Sequence, residues 1–230
     1  MKILAIETSC EHASVALLAD ECVRQRTLEG QGAHSERLLG EIRALLAEGG
    51  MKLRGLDAIA FGSGPGAFTG LRLACAVAQG LALGSGLGVA PVCSLAALAE
   101  QGEGEWLLAA TDARMGEVYG AAYRRTENAL VEVAAPHCVP PEALELPVAG
   151  GPWRVLGSAL RAYPALIERF APKLAGWDAD AVPRAAQVAL LARHQVRAGR
   201  LLPAELAAPL YVRDKVALTT AERLARGGRA

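Results

Sequence analysis

The residues best placed to do chemistry are Phe61-Gly62-Ser63-Gly64-Pro65-Gly66-Ala67-Phe68-Thr69-Gly70-Leu71-Arg72. An apolar run, residues 58–61, leads into this segment, and a helix-like run leaves it near Thr69. A strand, a glycine-rich turn and a helix N-terminus in that order bring backbone N–H groups together, and the helix macrodipole adds partial positive charge. One reading is a phosphate cradle. The plainer reading is a turn that feeds a strand into a helix, with glycines supplying positive φ and Thr69 capping the helix. The turn alone favours the plainer reading.

Two acidic hairpins offer a second kind of chemistry. In each half of the chain an apolar strand ends at an acid, Glu7 or Asp112, and turns back into an alternating strand. If both face a cleft, Thr8, Ser9 and the Asp112 hairpin would contact a nucleotide and its Mg²⁺, with Glu7 or Asp112 as the metal-side carboxylate. That arrangement would suit an ATP-dependent kinase or acyl transferase.

Motifs for other chemistries are missing. The glycines at 62–66 do not spell GxGxxG, and no Lys follows Gly70 as a P-loop requires. Ser63 is not centred in a GxSxG nucleophile elbow. His12, His34, His137 and His194 have no histidine three or four residues away, so a metal site would need distant single ligands. Cys10, Cys22, Cys75, Cys93 and Cys138 are odd in number and contain no CxxC, which argues against a disulfide framework or zinc knuckle and for a reducing, cytoplasmic setting. A peptidase has neither metal pair nor nucleophile motif to rest on.

The elements that must position these residues follow from periodicity. Residues 2–8, 13–19 and 22–28 read as strands. Residues 35–48 carry Leu38, Leu39, Ile42, Leu45 and Leu46 at helical spacing, with Ser35 as N-cap and Gly49-Gly50 as the stop. Residues 57–61 are a strand, 69–83 a helix, 88–93 a strand, and 94–101 a helix capped by Ser94. The unit is β-β-β-α-β-α-β-α. The polar, glycine-rich stretch 101–105 divides a domain at 1–102 from one at 103–230. Strands at 106–111, 117–124 and 130–139 then repeat the opening pattern, and the second copy is reduced. Residues 153–157 are one more strand, 184–198 a helix and 203–210 a short helix. The tail carries Lys215, Arg223, Arg226 and Arg229, a solvated end in the first instance and an RNA contact in the second.

The 69–83 helix has a further property. Gly70, Ala74, Ala78 and Ala82 recur every four residues and line one face with small side chains. Leu73, Val77 and Leu81 form a neighbouring apolar stripe. One face can cover a sheet and leave the other for a partner; an apolar patch built with the 35–48 helix would mark a protein interface. The alternative is that both faces are internal core.

Composition bounds the rest. The 230 residues carry 24 Lys plus Arg against 24 Asp plus Glu, so a net charge of zero gives no basic excess for a dedicated nucleic-acid binder. Residues 1–6 are too short an apolar run for a signal peptide, and 71–92, broken by Arg72 and Gln79, reads as buried helix plus strand and not a membrane span.

Three motifs together resemble one family. Ile6-Glu7-Thr8-Ser9 with its hairpin, Gly64-Pro65-Gly66-Ala67-Phe68-Thr69-Gly70-Leu71-Arg72, and Asp112-Ala113-Arg114-Met115-Gly116-Glu117-Val118-Tyr119 are similar to the TsaB (YeaZ) family, in order over residues 1 to about 125. Pro209-Leu210-Tyr211-Val212-Arg213 resembles its closing segment. The resemblance implies an α/β fold of the actin, hexokinase and Hsp70 ATPase group. It implies a cytoplasmic role in making N6-threonylcarbamoyladenosine at position 37 of tRNAs that read ANN codons. The transfer is made by a larger, metal-bearing paralogue, TsaD. The family binds that paralogue through its first two helices, an ATPase, TsaE, joins the pair, and homodimers use a similar surface. The interface residues so implied are Leu38, Leu39, Ile42, Thr69, Leu71, Arg72, Leu73, Ala74, Val77, Ala78 and Leu81. On this reading Ala78→Arg blocks the heterodimer and leaves the fold intact. The paralogue's His-x-x-x-His metal pair corresponds to Ser94 and Leu98, and Leu98 cannot ligate. The resemblance therefore implies a non-catalytic subunit that meets tRNA only through the complex, with no tightly bound cofactor and with ATP or ADP at the partner junction.

Overall fold

The computed structural model describes residues 1–28 and 34–213. Strands β1 (Lys2–Glu7), β2 (Ala13–Ala19) and β3 (Cys22–Leu28) form an antiparallel meander. Helix α1 (His34–Glu48) leads to β4 (Ala58–Gly64), parallel to β1, and α2 (Phe68–Ser85) leads to β5 (Gly88–Cys93), parallel to β4. The first sheet has the order β3-β2-β1-β4-β5. After α3 (Ser94–Ala99) the pattern restarts with β6 (Trp106–Arg114), β7 (Glu117–Arg125) and β8 (Leu130–Val139). Then come β9 (Trp153–Leu156), the short α4 (Ala159–Ala162) and α5 (Ala165–Phe170), β10 (Leu174–Asp178) and α6 (Ala185–Arg197). The second sheet has the order β10-β9-β6-β7-β8, the same topology as the first. This is the two-lobed α/β fold of the actin, hexokinase and Hsp70 group.

The second copy is reduced in helices and not in strands. Between β8 and β9 the regular structure is one 3-10 turn, Pro141–Ala143, where the first lobe has α1. Strand β10, α4 and α5 leave no clear pattern in the sequence because each is short and Pro164 and Gly176 break their periodicity. The expected helix at 203–210 is only a 3-10 turn, Ala204–Leu206.

Alternation sorts the first sheet's side chains into two cores. Leu4, Ile6, Val15, Leu17, Ile59 and Phe61 face α1 and α2, meeting Leu38, Ile42 and Leu45 from one and Ala74, Ala78 and Ala82 from the other. Ile3, Ala5, Ala16, Leu18 and Ala60 face α6, meeting Ala185, Val188, Ala189 and Ala192. Helix α6 thus completes the first lobe although it follows the whole second sheet in sequence. The two lobes join through α3, whose Leu95, Leu98 and Ala99 pack with Leu107, Ala109, Ala121 and Tyr123. Among the described residues no helix is long and apolar enough to cross a membrane. The basic tail from Lys215 lies outside the described residues.

Candidate functional site

The glycine turn joins the buried end of β4 to α2, and its geometry favours the plainer of the two readings. The Ala67 N–H donates to the Ser9 carbonyl at 2.7 Å, so the chain's own first hairpin fills that donor. A Cβ at Gly66 would overlap the same carbonyl. Thr69 does not cap the helix: Ala67 is the N-cap residue, without a side-chain bond. Helix α2 stops at Gly86, whose left-handed φ of 72° lets its N–H donate to Ala82 O.

Glu7, the acid at the end of β1, points inward and is fully buried. Its carboxylate accepts from the Ser9 N–H at 2.7 Å and the Ser94 hydroxyl at 2.9 Å. Ser94 in turn accepts from Gly64 N–H at 3.2 Å. A side chain at Gly62 would overlap the carboxylate. Burial pushes the Glu7 carboxyl above its ordinary 4.5, against the pull of the Ser9 and Ser94 bonds. Glu7 therefore ties β1 to the start of the turn and does not reach the cleft, which removes it as a metal-side carboxylate. Ser94 serves this network and not a helix cap; Leu98 packs in the junction between lobes.

The cleft between the lobes has a volume of about 520 Å³. It brings together Ser9 and His12 from the first hairpin, Asp112 and Arg114 from the second, and Tyr211 and Arg213 from the closing segment. Thr8 is turned away, donating its hydroxyl to Gly70 O at 2.7 Å. Asp112 is occupied: Arg114 pairs with it at 3.2 Å, and its Oδ1 accepts from the Arg114 N–H at 2.9 Å and the Tyr163 hydroxyl at 3.4 Å. Arg114 also reaches Glu11 across the cleft at 3.7 Å. Cys10, at the same wall, is a poor nucleophile, since burial pushes its thiol up to about 12. Among the described residues no three His, Cys, Asp or Glu side chains are grouped to hold a metal.

The two helices on the first sheet make the other candidate site, and here the structure corrects several of the expected interface residues. Leu38, Ile42, Leu71, Ala74 and Ala78 are buried in the chain's own core. The stripe Gly70-Ala74-Ala78-Ala82 lets α2 settle closely on its own sheet, and a Cβ at Gly70 would overlap the Thr8 carbonyl oxygen. Ala78→Arg would therefore break the fold before any interface. Leu39, Thr69 and Arg72 are exposed, and Leu73, Val77 and Leu81 are half-buried. The outer face also holds residues beyond the expected set: Phe68, Ala76, Gly80, Leu83 and Gly84 are exposed, Leu83 at 76%. Among the described residues nothing lies within 4 Å of where a Cβ on Gly80 or Gly84 would sit. The outer stripe Ala76-Gly80-Gly84 has the same four-residue spacing as the inner one. Leu39 and Gly40 of α1 are exposed on the same side of the sheet.

This two-lobed topology, with its cleft and paired helices, has close counterparts. A family model described as TsaD, tRNA N6-adenosine threonylcarbamoyltransferase, matches residues 29–221. The tRNA threonylcarbamoyladenosine biosynthesis protein TsaB of Escherichia coli is 34% identical, with 94% of this chain and 96% of that protein aligned. The chain belongs to the TsaB (YeaZ) family. The TsaB protein of Haemophilus influenzae is also 34% identical, over 94% of this chain and 95% of its own length. The structure of YeaZ from Pseudomonas aeruginosa superposes with a TM-score of 0.82 at 37% identity, covering 91% of this chain and 99% of that one.

Proposed function

We propose that this chain is a non-catalytic subunit of the machinery that makes N6-threonylcarbamoyladenosine at position 37 of tRNA, where it docks on and activates the metal-bearing paralogous transferase TsaD. Membership of the TsaB (YeaZ) family, whose curated relatives are named for this biosynthesis, supports the pathway. The observation that carries the docking role is the outer face of α2. Phe68, Leu73, Val77, Leu81 and Leu83 surround Ala76, Gly80 and Gly84, and the glycines leave open space above the helix. Glycine inside an exposed helix costs about 1 kcal/mol relative to alanine. Among the described residues nothing packs on Gly80 or Gly84 to offset that cost. A partner helix lying close against the backbone does. The same face serves a homodimer when the transferase is absent, the ATPase TsaE joins the assembled pair, and tRNA is met through the complex.

The competing reading, an ATP-dependent kinase or acyl transferase acting alone, draws on Ser9 and Asp112 facing one cleft. It is weakened by the inward Glu7, the turned-away Thr8 and the Arg114 pair on Asp112. ATP or ADP belongs instead at the junction with the partner. Gly80→Arg tests the docking role. The variant should keep the parent's circular dichroism and fail to co-elute with the transferase; unchanged co-elution would overturn the proposal.

A further inference from the structure

Residues 207–213 run as a strap over the mouth of the cleft, and the two ends of this strap are held differently. At the first lobe the Cys75 thiol and the Gln79 amide donate to Ala207 O at 3.4 and 3.0 Å. The Leu210 N–H donates to Ser63 O, in the glycine turn, at 2.7 Å. The Tyr211 ring lies 5.6 Å from that of Phe68, and its hydroxyl accepts from Arg72 Nε at 3.2 Å. The Arg72 guanidinium sits 3.8 Å over Phe68. Phe68 is 44% and Tyr211 50% exposed, so this end is solvent-facing and adjoins the outer face of α2.

At the second lobe the hold is sheltered. The Arg213 side chain is only 15% exposed. It pairs with Glu117 at 2.7 Å, donates to Ala113 O at 2.8 Å and lies over the Tyr119 ring at 5.6 Å. All three partners belong to the β6–β7 hairpin, which also carries Asp112 and Arg114 of the cleft wall. Among the described residues the lobes also meet at the apolar α3 junction and at the exposed Arg114–Glu11 pair, and the strap is a further tie beside the cleft. At the first lobe the strap is anchored by its Ala207 and Leu210 hydrogen bonds and leaves the Tyr211 ring exposed beside α2, while at the second lobe a charge-assisted hold from the Arg213 guanidinium fixes it to the hairpin. Tyr211 and Arg213 are two residues apart on this strap, so a displacement of the exposed ring is passed along the backbone to the guanidinium.

We propose that the strap couples the outer face of α2 to the cleft: a partner that covers Phe68, Arg72 and Tyr211 sets, through Arg213, the position of the β6–β7 hairpin. Arg213 is a positioning residue in this scheme. The coupling to a partner rests on the docking role proposed above; the mechanical link within the chain does not.

Hydrogen exchange of the hairpin amides 113–117 tests the link in the free protein, with β1 and β9 amides reporting overall stability. Phe68→Ala should speed hairpin exchange by about two- to tenfold, the local-opening equivalent of losing one aromatic contact. In an Arg213→Ala background the same change should have no further effect. Should Arg213→Ala loosen β1 and β9 as well, Arg213→Gln, which keeps much of the side chain's packing without its charge, takes its place. Hairpin exchange indifferent to Phe68→Ala, or equally sensitive with and without Arg213, would overturn the link. Adding the purified transferase should then slow hairpin exchange in the parent and not in the Arg213 variant. Equal slowing in both overturns the coupling. Absence of any complex with the parent refutes the docking role and leaves the result on the internal link standing.

Discussion

The two faces of α2 use the same residue types for opposite purposes. Inward, Gly70, Ala74, Ala78 and Ala82 meet the chain's own sheet, and at Gly70 there is no volume for a single carbon beside the Thr8 carbonyl. Outward, Ala76, Gly80 and Gly84 repeat the spacing, yet a Cβ at either glycine meets none of the described residues. The inner small residues are sterically required by the free fold, and the outer ones are not. A small side chain by itself therefore says only that something comes close; the surroundings say whether that is the same molecule or another.

The strongest challenge to this contrast is Ala78→Arg, on the inner face. It should destabilise the free chain by about 3–5 kcal/mol, the cost of an uncompensated buried charge, seen as a lost or early urea transition. A well-folded Ala78→Arg protein would break the inner-face assignment. Gly80→Arg, two residues on and nearly opposite around the helix, should leave the urea midpoint close to the parent's. It should weaken association with the transferase by roughly thirtyfold, the size of one interface hot spot, by titration calorimetry.

Glu7→Gln sharpens the contrast at the sheet end beneath the inner face. Because burial raises the Glu7 carboxyl in the folded state, its stabilising contribution is complete below the ordinary value of 4.5 and is lost as pH rises through the folded value. The parent should therefore lose stability relative to Glu7→Gln as pH rises from 4.5, at up to about 1.4 kcal/mol per pH unit within that window, in urea titrations at stepped pH. Gly80→Ala is the subtlest case. Thermal melts should show the free chain stabilised by about 0.8–1 kcal/mol, while the complex weakens. Stabilisation with unchanged association would leave the outer glycine unexplained.

How much of this was legible depended on how local each signal is. The three motifs carried the family, and the strands and long helices followed from period-2 and period-3.6 patterns that need only neighbouring residues. Gly80 and Gly84 were visible at a four-residue spacing, but spacing cannot say which of two small stripes faces inward. The strap was not legible, since Arg72 and Tyr211 stand 139 positions apart. The role of Glu7 was misread for a related reason: an acid ending a strand points into a cleft or into the core by a half-turn that the letters do not carry.

The sequence by itself determined the elements of the first sheet, the longer elements of the second, the repeated architecture and the family, because backbone periodicity, turn chemistry and motif spacing are written along the chain. Only the tertiary structure decided which face of α2 is core, which acid meets solvent, and that α6 completes the first lobe. Those outcomes depend on contacts between segments as far as 172 residues apart, as between Glu21 and Arg193, and burial is a property of the packed whole.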